Sequence, residues 1–329
     1  MKIFKLLLLT LFIPFILLAN DDRPPISYDF LTKKEVQNFI KMMVKKHHFK
    51  RSYMTSVLKD AKLDRDTLAR YTGRYKVGST NGPWERYKAH VLDPVTLAKA
   101  KKFKKEYYKT LKRASRQYNV DMNYMVGFIC VESKFGEYSG DYRVLDALAT
   151  LAFHKNRMKK FFKSEFKHLF LMAREQGYDI TKLQGSFAGA MGMVQQVPSV
   201  FRKYGMDYNR DGVKDPWDLE DSIGIIARFM RKNGWKNGIP AAVTTNFKGK
   251  RYNKALKPSK SKRRSLSTIR KYGIKPTQRF VQSKAYLLKT RNKTHDDIYL
   301  GSSNFRVLTR YNNATTYGIA IHLIAEHVK

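Results

Sequence analysis

The 329-residue chain carries one cysteine, so no intramolecular disulfide can brace it, and stability must come from packing, with or without a metal. That cysteine, Cys130, sits inside the apolar run VGFICV, where a buried thiol is expected. Acidic residues are also scarce. There are 27 Asp and Glu against 65 Lys and Arg, a formal net charge of +38. Such an imbalance implies a polyanionic or anionic-surface environment, unless the source proteome is lysine-rich throughout. No internal repeat is evident. What the chain does have is 43% hydrophobic and 13% aromatic residues, enough for one large core or two to three small ones.

Residues 1–19, MKIFKLLLLTLFIPFILLA, place Lys2 and Lys5 before an apolar stretch that ends at Ala19. This reads as a signal peptide or, because Pro14 and Leu17 make an imperfect cleavage region, as an uncleaved anchor. Either way the body is exported, and a periplasmic address is expected. Loss of the two lysines would leave +36. No cysteine stands near the segment to take a lipid, so membrane association would be peripheral or through residues 1–19. Nucleic acid is the reflex partner for so basic a chain, but an exported protein meets cell-wall polymer and lipid headgroups instead.

Hydrophobic periodicity makes the chain mainly α, of α+β class. Residues 20–93 hold a short helical pattern, LTKKEVQNFIKMMVKKH, with Thr32 as candidate cap, then the glycine-rich connector TGRYKVGSTNGPW. Over 94–238 helices dominate. One basic amphipathic helix is expected across 95–118, buried along Leu97, Phe103, Tyr107 and Leu111. DMNYMVGFICVES offers Asp121 as N-cap and scarcely a polar residue before Glu132, the pattern of a buried helix, with Gly136 as its stop. Further helices fit 143–153, 158–175, 194–203, 220–233 and 316–328. Between 239 and 303 short β-leaning runs indicate a small β-rich insertion, in which KPSKSKRR reads as a solvated loop that could touch anionic polymer. Residues 304–329 return to the core.

Glu132 raises the chemical question. A carboxylate ending a buried helix loses hydration and faces the negative end of the helix dipole, and both effects raise its pKa. A carboxyl kept protonated can donate to the leaving oxygen of a glycosidic bond. Pairing with Lys134 or a neighbouring Arg is the plainer alternative, and two other stretches weigh against it. In GSFAGAMGMVQQVPSVF, three glycines around Ser186 allow tight turns, and Gln195 and Gln196 offer amides to sugar hydroxyls or acetamides. In TRYNNATTY, Tyr311, Asn312 and Tyr317 bring aromatic faces and an amide together, as saccharide stacking requires.

Together with LDALATLAFHKNRMKKFF and IGIIARFMRKNGW, these stretches resemble the membrane-bound lytic transglycosylase B family of murein-cleaving enzymes, in order, over roughly residues 84–328. The resemblance implies a lysozyme-like helical core, an amino-terminal helical portion and a small inserted β domain. It makes Glu132 the acid/base, Gln195 and Asn312 polar groups of the cleft, and Tyr87, Tyr311 and Tyr317 its aromatics. Two departures stand out. Asn156, Arg157 and Met158 replace Pro-Arg-Arg, leaving Arg157 as the one cationic contact, and Gln195, Gln196 and Val197 replace Gln-Phe-Met.

A retaining glycosidase needs a second carboxylate, whereas a transglycosylase can use its substrate's own groups. Glu132 is the one acid that suits a buried catalytic position, since Glu137 and Asp141 look like exposed turn residues. The resemblance implies intramolecular closure to a 1,6-anhydromuramyl end on peptidoglycan, with hydrolysis of the same bond or a non-catalytic wall-binding role as alternatives. A monomer is expected, with no organic cofactor.

The stretch DYNRDGVKDPWDLED, residues 207–221, holds six of the 27 acids. Asp207, Asn209 and Asp211 alternate, Gly212 is sixth and the Val213 carbonyl seventh, which is EF-hand spacing for a structural Ca2+. Asp218 holds the usual closing position, while the resemblance favours a longer loop closed by Asp221.

Overall fold

The computed structural model describes residues 24–72, 83–247 and 257–329. The reading of residues 1–19, and nearly all of the glycine-rich connector, lie outside the described residues.

The elements run in chain order as β1 (Ile26–Ser27), α1 (Lys34–His47), α2 (Arg51–Asp60), β2 (Lys62–Leu63), α3 (Arg65–Tyr71), α4 (Pro83–Val91), α5 (Pro94–Glu106), α6 (Tyr108–Tyr118) and α7 (Met122–Ser133). They continue with β3 (Tyr142–Arg143), α8 (Val144–Phe153), α9 (Lys159–Gln176), β4 (Gln184–Gly185), α10 (Pro198–Tyr204), α11 (Leu219–Lys232) and β5 (Ala242–Thr244). Last come β6 (Ser259–Ser265), α12 (Leu266–Lys271), β7 (Lys284–Arg291), β8 (Asp296–Gly301), α13 (Ser303–Tyr311) and α14 (Thr315–His327). The chain is mainly helical with small antiparallel sheets, the expected class.

It divides into two compact units that alternate along the sequence. One holds the described residues within Gly78–Lys134 and Ile223–Lys329, the other those within Leu17–Val77 and Phe135–Ser222. In the first, α7 packs antiparallel on α14. Both helices are apolar on nearly every side, and residues 124–130 and 317–322 are all buried. A close approach sets their spacing: a Cβ at Gly127 would meet the Ile321 carbonyl oxygen at 2.7 Å. Beside them lies a four-stranded sheet of order β5-β8-β7-β6. Leu288 and Tyr299 on one face join Trp84, Tyr87, Phe305 and Ile319. Ala285, Leu287, Ile298 and Leu300 on the other cover Ile269 of α12 and Ile274. This is the period-2 alternation of strands buried on both faces.

The second unit is built on α8 and α9, with a run of aromatic rings at its centre. Phe153 lies edge-on to Phe39 at 5.7 Å and to Phe166 at 5.5 Å, and Phe166 in turn to Phe170 at 5.2 Å.

Four local expectations are corrected. Thr32 does not cap α1; its hydroxyl donates to Asp29, whose own side chain caps a single 3-10 turn over Phe30–Thr32. The expected helix across 95–118 is two helices, α5 and α6, broken at Tyr107, where φ is −95° and ψ 20°. α7 ends at Lys134, in the left-handed region at φ 46°, before Gly136 is reached. The basic run KPSKSKRR is largely strand β6, pairing with β7, and not a loop.

Candidate active site

Asp121 starts α7 by accepting the Asn123 N–H, and the helix then runs without a break to Glu132 in its last turn. After it, Lys134 and Phe135 both hold positive φ, 46° and 63°. For non-glycine residues this costs roughly 1–3 kcal/mol each, strain that clusters at functional sites.

The hydroxyl of Tyr317, in the first turn of α14, donates to Glu132 Oε1. Glu132 as a residue is half-buried, while its carboxyl is enclosed enough that burial pushes its pKa up to about 8, against the lowering effect of the Tyr317 hydrogen bond. The side chain therefore holds its proton at neutral pH while remaining within reach of a ligand. Tyr87 on α4 is buried, and its hydroxyl is raised far above the ordinary range by burial and then by the Glu132 charge. Tyr311 ends α13 edge-on to Phe128 at 5.3 Å and to Phe229 at 4.8 Å. Asn312 follows as the C-cap residue, and its Oδ1 is buried with no hydrogen-bond partner. An acceptor left without a donor costs about 1–3 kcal/mol unless a ligand or water supplies one. Glu132, Tyr87, Tyr311, Asn312 and Tyr317 thus belong to one unit. Glu137 and Asp141 are exposed, as their turn setting suggested.

The remaining candidates belong to the second unit. Ser186 Oγ accepts the N–H groups of Ala188 and Ala190, organising the glycine turn and keeping its own proton to donate. Arg157 is exposed, its guanidinium 5.5 Å from the centre of the Tyr71 ring. Gln195 has φ 47°, and its amide donates to the carbonyls of Ser139 and Gly192. The neighbouring Gln196 is 2% exposed, and both of its amide atoms are buried without a partner. Of the two amides the sequence offered, Gln196 is thus the one left unsatisfied, and Gln195, the one the resemblance selects, is already bonded. The signal was the tandem pair itself, but only the backbone shows which member is already bonded.

The acidic loop is organised by its own side chains. Asp207 accepts the N–H groups of Arg210, Asp211 and Gly212; Asn209 accepts from Asp211, and Asp211 from Val213. Asp221 is fully buried at the start of α11 and accepts from Tyr208, Asn209 and Asp215, while Asp218 accepts the N–H of Asp221. Asp218 therefore serves the helix start, and Asp221 holds the loop. The loop is tied to the glycine turn, because Met193 N–H donates to the Pro216 carbonyl at 2.8 Å. Among the described residues no three His, Cys, Asp or Glu side chains gather as a metal site. Asp207, Asp211 and Asp221 are thus not gathered around one point, although with the Asn209 amide and the Val213 carbonyl they are all oxygen donors, the type a hard cation takes. No described helix is long and apolar enough to cross a membrane.

Comparison with known proteins identifies the family. Residues 31–326 match the family described as the transglycosylase SLT domain. The membrane-bound lytic murein transglycosylase B of Escherichia coli (strain K12) is 34% identical over 307 residues, covering 91% of this chain and 84% of that protein. The Escherichia coli lytic transglycosylase Slt35 in complex with bulgecin A superposes with a TM-score of 0.84 at 33% identity, covering 92% of this chain and 95% of that one. Slt35 in complex with calcium gives 0.83 with the same identity and coverage. Soluble SltB1 from Pseudomonas aeruginosa gives 0.78 at 28% identity, over 89% of this chain and 98% of its own. The helical architecture is therefore the lysozyme-like one, and the chain belongs to the membrane-bound lytic murein transglycosylase B family.

Proposed function

We propose that this protein is a lytic transglycosylase that cleaves the β-1,4 bond between N-acetylmuramic acid and N-acetylglucosamine in peptidoglycan, with Glu132 as its single acid/base. The observation that carries this reading is the enclosed Glu132 carboxyl, protonated up to about pH 8 and oriented by Tyr317. Glu132 gives its proton to the bridging oxygen as the C1–O4 bond breaks, and the neighbouring N-acetyl group stabilises the positive charge at C1. The carboxylate then takes the proton of the muramyl O6 hydroxyl, and O6 bonds to C1. Glu132 is protonated again, no water is consumed, and the new end is 1,6-anhydro.

In this reading Tyr87, Tyr311 and Tyr317 provide the aromatic wall, and Asn312, Gln195, Ser186 and Arg157 the polar contacts. Residues 94–238 form the catalytic core, 20–93 the amino-terminal portion, 239–303 the insertion and 304–329 the return. Asp207, Asn209, Asp211, the Val213 carbonyl and Asp221 hold a structural Ca2+. The donor chemistry fits, and the Met193 to Pro216 bond would let the ion brace the glycine turn without entering the reaction. The protein acts in the periplasm as a monomer, with peripheral or amino-terminal membrane association.

The test is digestion of purified sacculi in ¹⁸O water, with muropeptides read by mass spectrometry. Unlabelled 1,6-anhydro ends are expected, and Glu132→Gln should lower their release on the order of 10²- to 10⁴-fold with murein binding kept. Labelled reducing ends would make the enzyme a hydrolase.

A further inference from the structure

From residue 222 to residue 295 the chain has 21 Lys and Arg and no Asp or Glu. This tract holds the whole of β6, the edge strand of the four-stranded sheet. Arg263 pairs in register with Tyr286, so it projects from the same face as Leu288 and Tyr299, the face that packs on Tyr87 and Trp84. Lys260 reaches the same side, since its ammonium donates to the carbonyl of Asn313, the residue after Asn312. Arg306, one turn before Arg310 on α13, is near enough for its charge to act on Lys260. Burial and the Arg306 charge together depress the Lys260 ammonium.

Among the described residues none of Lys260, Arg263 and Arg306 has an ion-pair partner, although the same sheet supplies one to Lys289 through Asp296 at 3.3 Å. Like charges held side by side without a counter-ion oppose folding, and a bound anion would offset them. The contact of Lys260 with Asn313, next to Asn312, would make an anion held there a part of whatever ligand occupies that site, rather than a separate one.

We propose that Lys260, Arg263 and Arg306 form a cationic edge beside Tyr311 and Asn312 that binds the carboxylates of acidic peptides carried on the glycan strand, so that the enzyme favours peptide-bearing over naked strands. This rests on the function proposed above and adds a determinant of substrate choice to it. The contact is one of binding, so it should act on KM and leave kcat alone.

The experiment compares peptide-bearing strands with the same strands stripped of peptide by an amidase, using the full chain and its Arg263→Glu and Arg263→Lys variants. Arg263 is exposed, on the edge strand of the sheet, so neither variant should disturb folding. The parent should show the lower KM on peptide-bearing strands. Arg263→Glu should raise that KM roughly five- to tenfold with kcat and the stripped-strand kinetics unchanged, and Arg263→Lys should restore most of it. Equal KM values of the parent on both strands, or an equal loss on both in Arg263→Glu, would overturn the proposal.

A binding arm separates this idea from the catalytic one. Glu132→Gln protein should sediment with untreated sacculi and bind far less to sacculi whose carboxylates have been amidated. If the parent cleaved neither strand but sacculus binding still required carboxylates and Arg263, the anion site would stand and the catalytic reading would fall. Equal binding to amidated sacculi would overturn the anion site. So would loss of binding to phosphatidylglycerol vesicles in Arg263→Glu with murein KM untouched, which would assign the edge to lipid.

Discussion

A carboxyl that has to release a proton during a reaction must first be prevented from releasing it to water, and at Glu132 two opposed influences set the balance. Burial raises its pKa to about 8, and the Tyr317 hydroxyl, which bonds better to the ionised form, pulls it back. Cleavage should therefore decline as pH rises through about 8. In Tyr317→Phe the restraining hydrogen bond is gone, so the alkaline limb of the kcat/KM profile should move to higher pH; an unmoved or lowered limb would show that Tyr317 does not tune the acid. The same pKa links to stability. The folded state holds a proton on Glu132 that the unfolded chain gives up near pH 4.5. Stability is thus lost as pH rises from that value through about 8. Glu132→Gln, which never ionises, should melt several degrees above the parent at pH 9 and at the same temperature below pH 4, as calorimetry can establish.

At the scale of elements, α7, α9 and α14 were legible because their apolar runs are long and their ends are marked. Asp121 sits where a cap belongs. α2, α3 and α4 were not legible, since each is short and shares its polar residues with the loops around it. β6 was hidden for a different reason: a strand of Ser, Lys and Arg has no alternation to display, and it is pairing with the apolar β7 that makes it a strand. The site divides in the same way. Glu132 could be found because an ionisable residue in an apolar run is conspicuous. Tyr87 could be reached through family resemblance alone, and the difference between Gln195 and Gln196 lies in one positive φ. The glycine turn before Gln195 is the most constrained of these elements. Gly192 has φ +73°, and a Cβ there would meet the Pro216 carbonyl oxygen at 1.9 Å. Gly192→Ala should cost about 3 kcal/mol or more in urea unfolding. Gly212→Ala, with φ +92° but nothing within 4 Å, should cost nearer 1. Comparable losses would mean that the turn can move away from the acidic loop.

For the molecule as a whole, the calcium proposal is a statement about stability. Ligands gathered only in the folded loop add their binding free energy to folding. At millimolar calcium this is about 1 kcal/mol for a site of extracellular type and about 4 for a micromolar one. Melting temperature should fall with chelator, and Asp211→Ala should abolish that response while leaving Glu132-dependent cleavage intact at low temperature. Identical melting with calcium and after verified metal removal would reduce the loop to a turn. The lone cysteine makes a finer measurement available. Cys130 is 1% exposed, two residues before Glu132 on α7, and no other thiol competes with it. A thiol reagent can modify it only when that helix opens, so the labelling rate of the unmodified protein is a clock for the opening of the catalytic helix. Calcium bound at 207–221 will slow this clock if the two units open together, and leave it unchanged if each opens by itself.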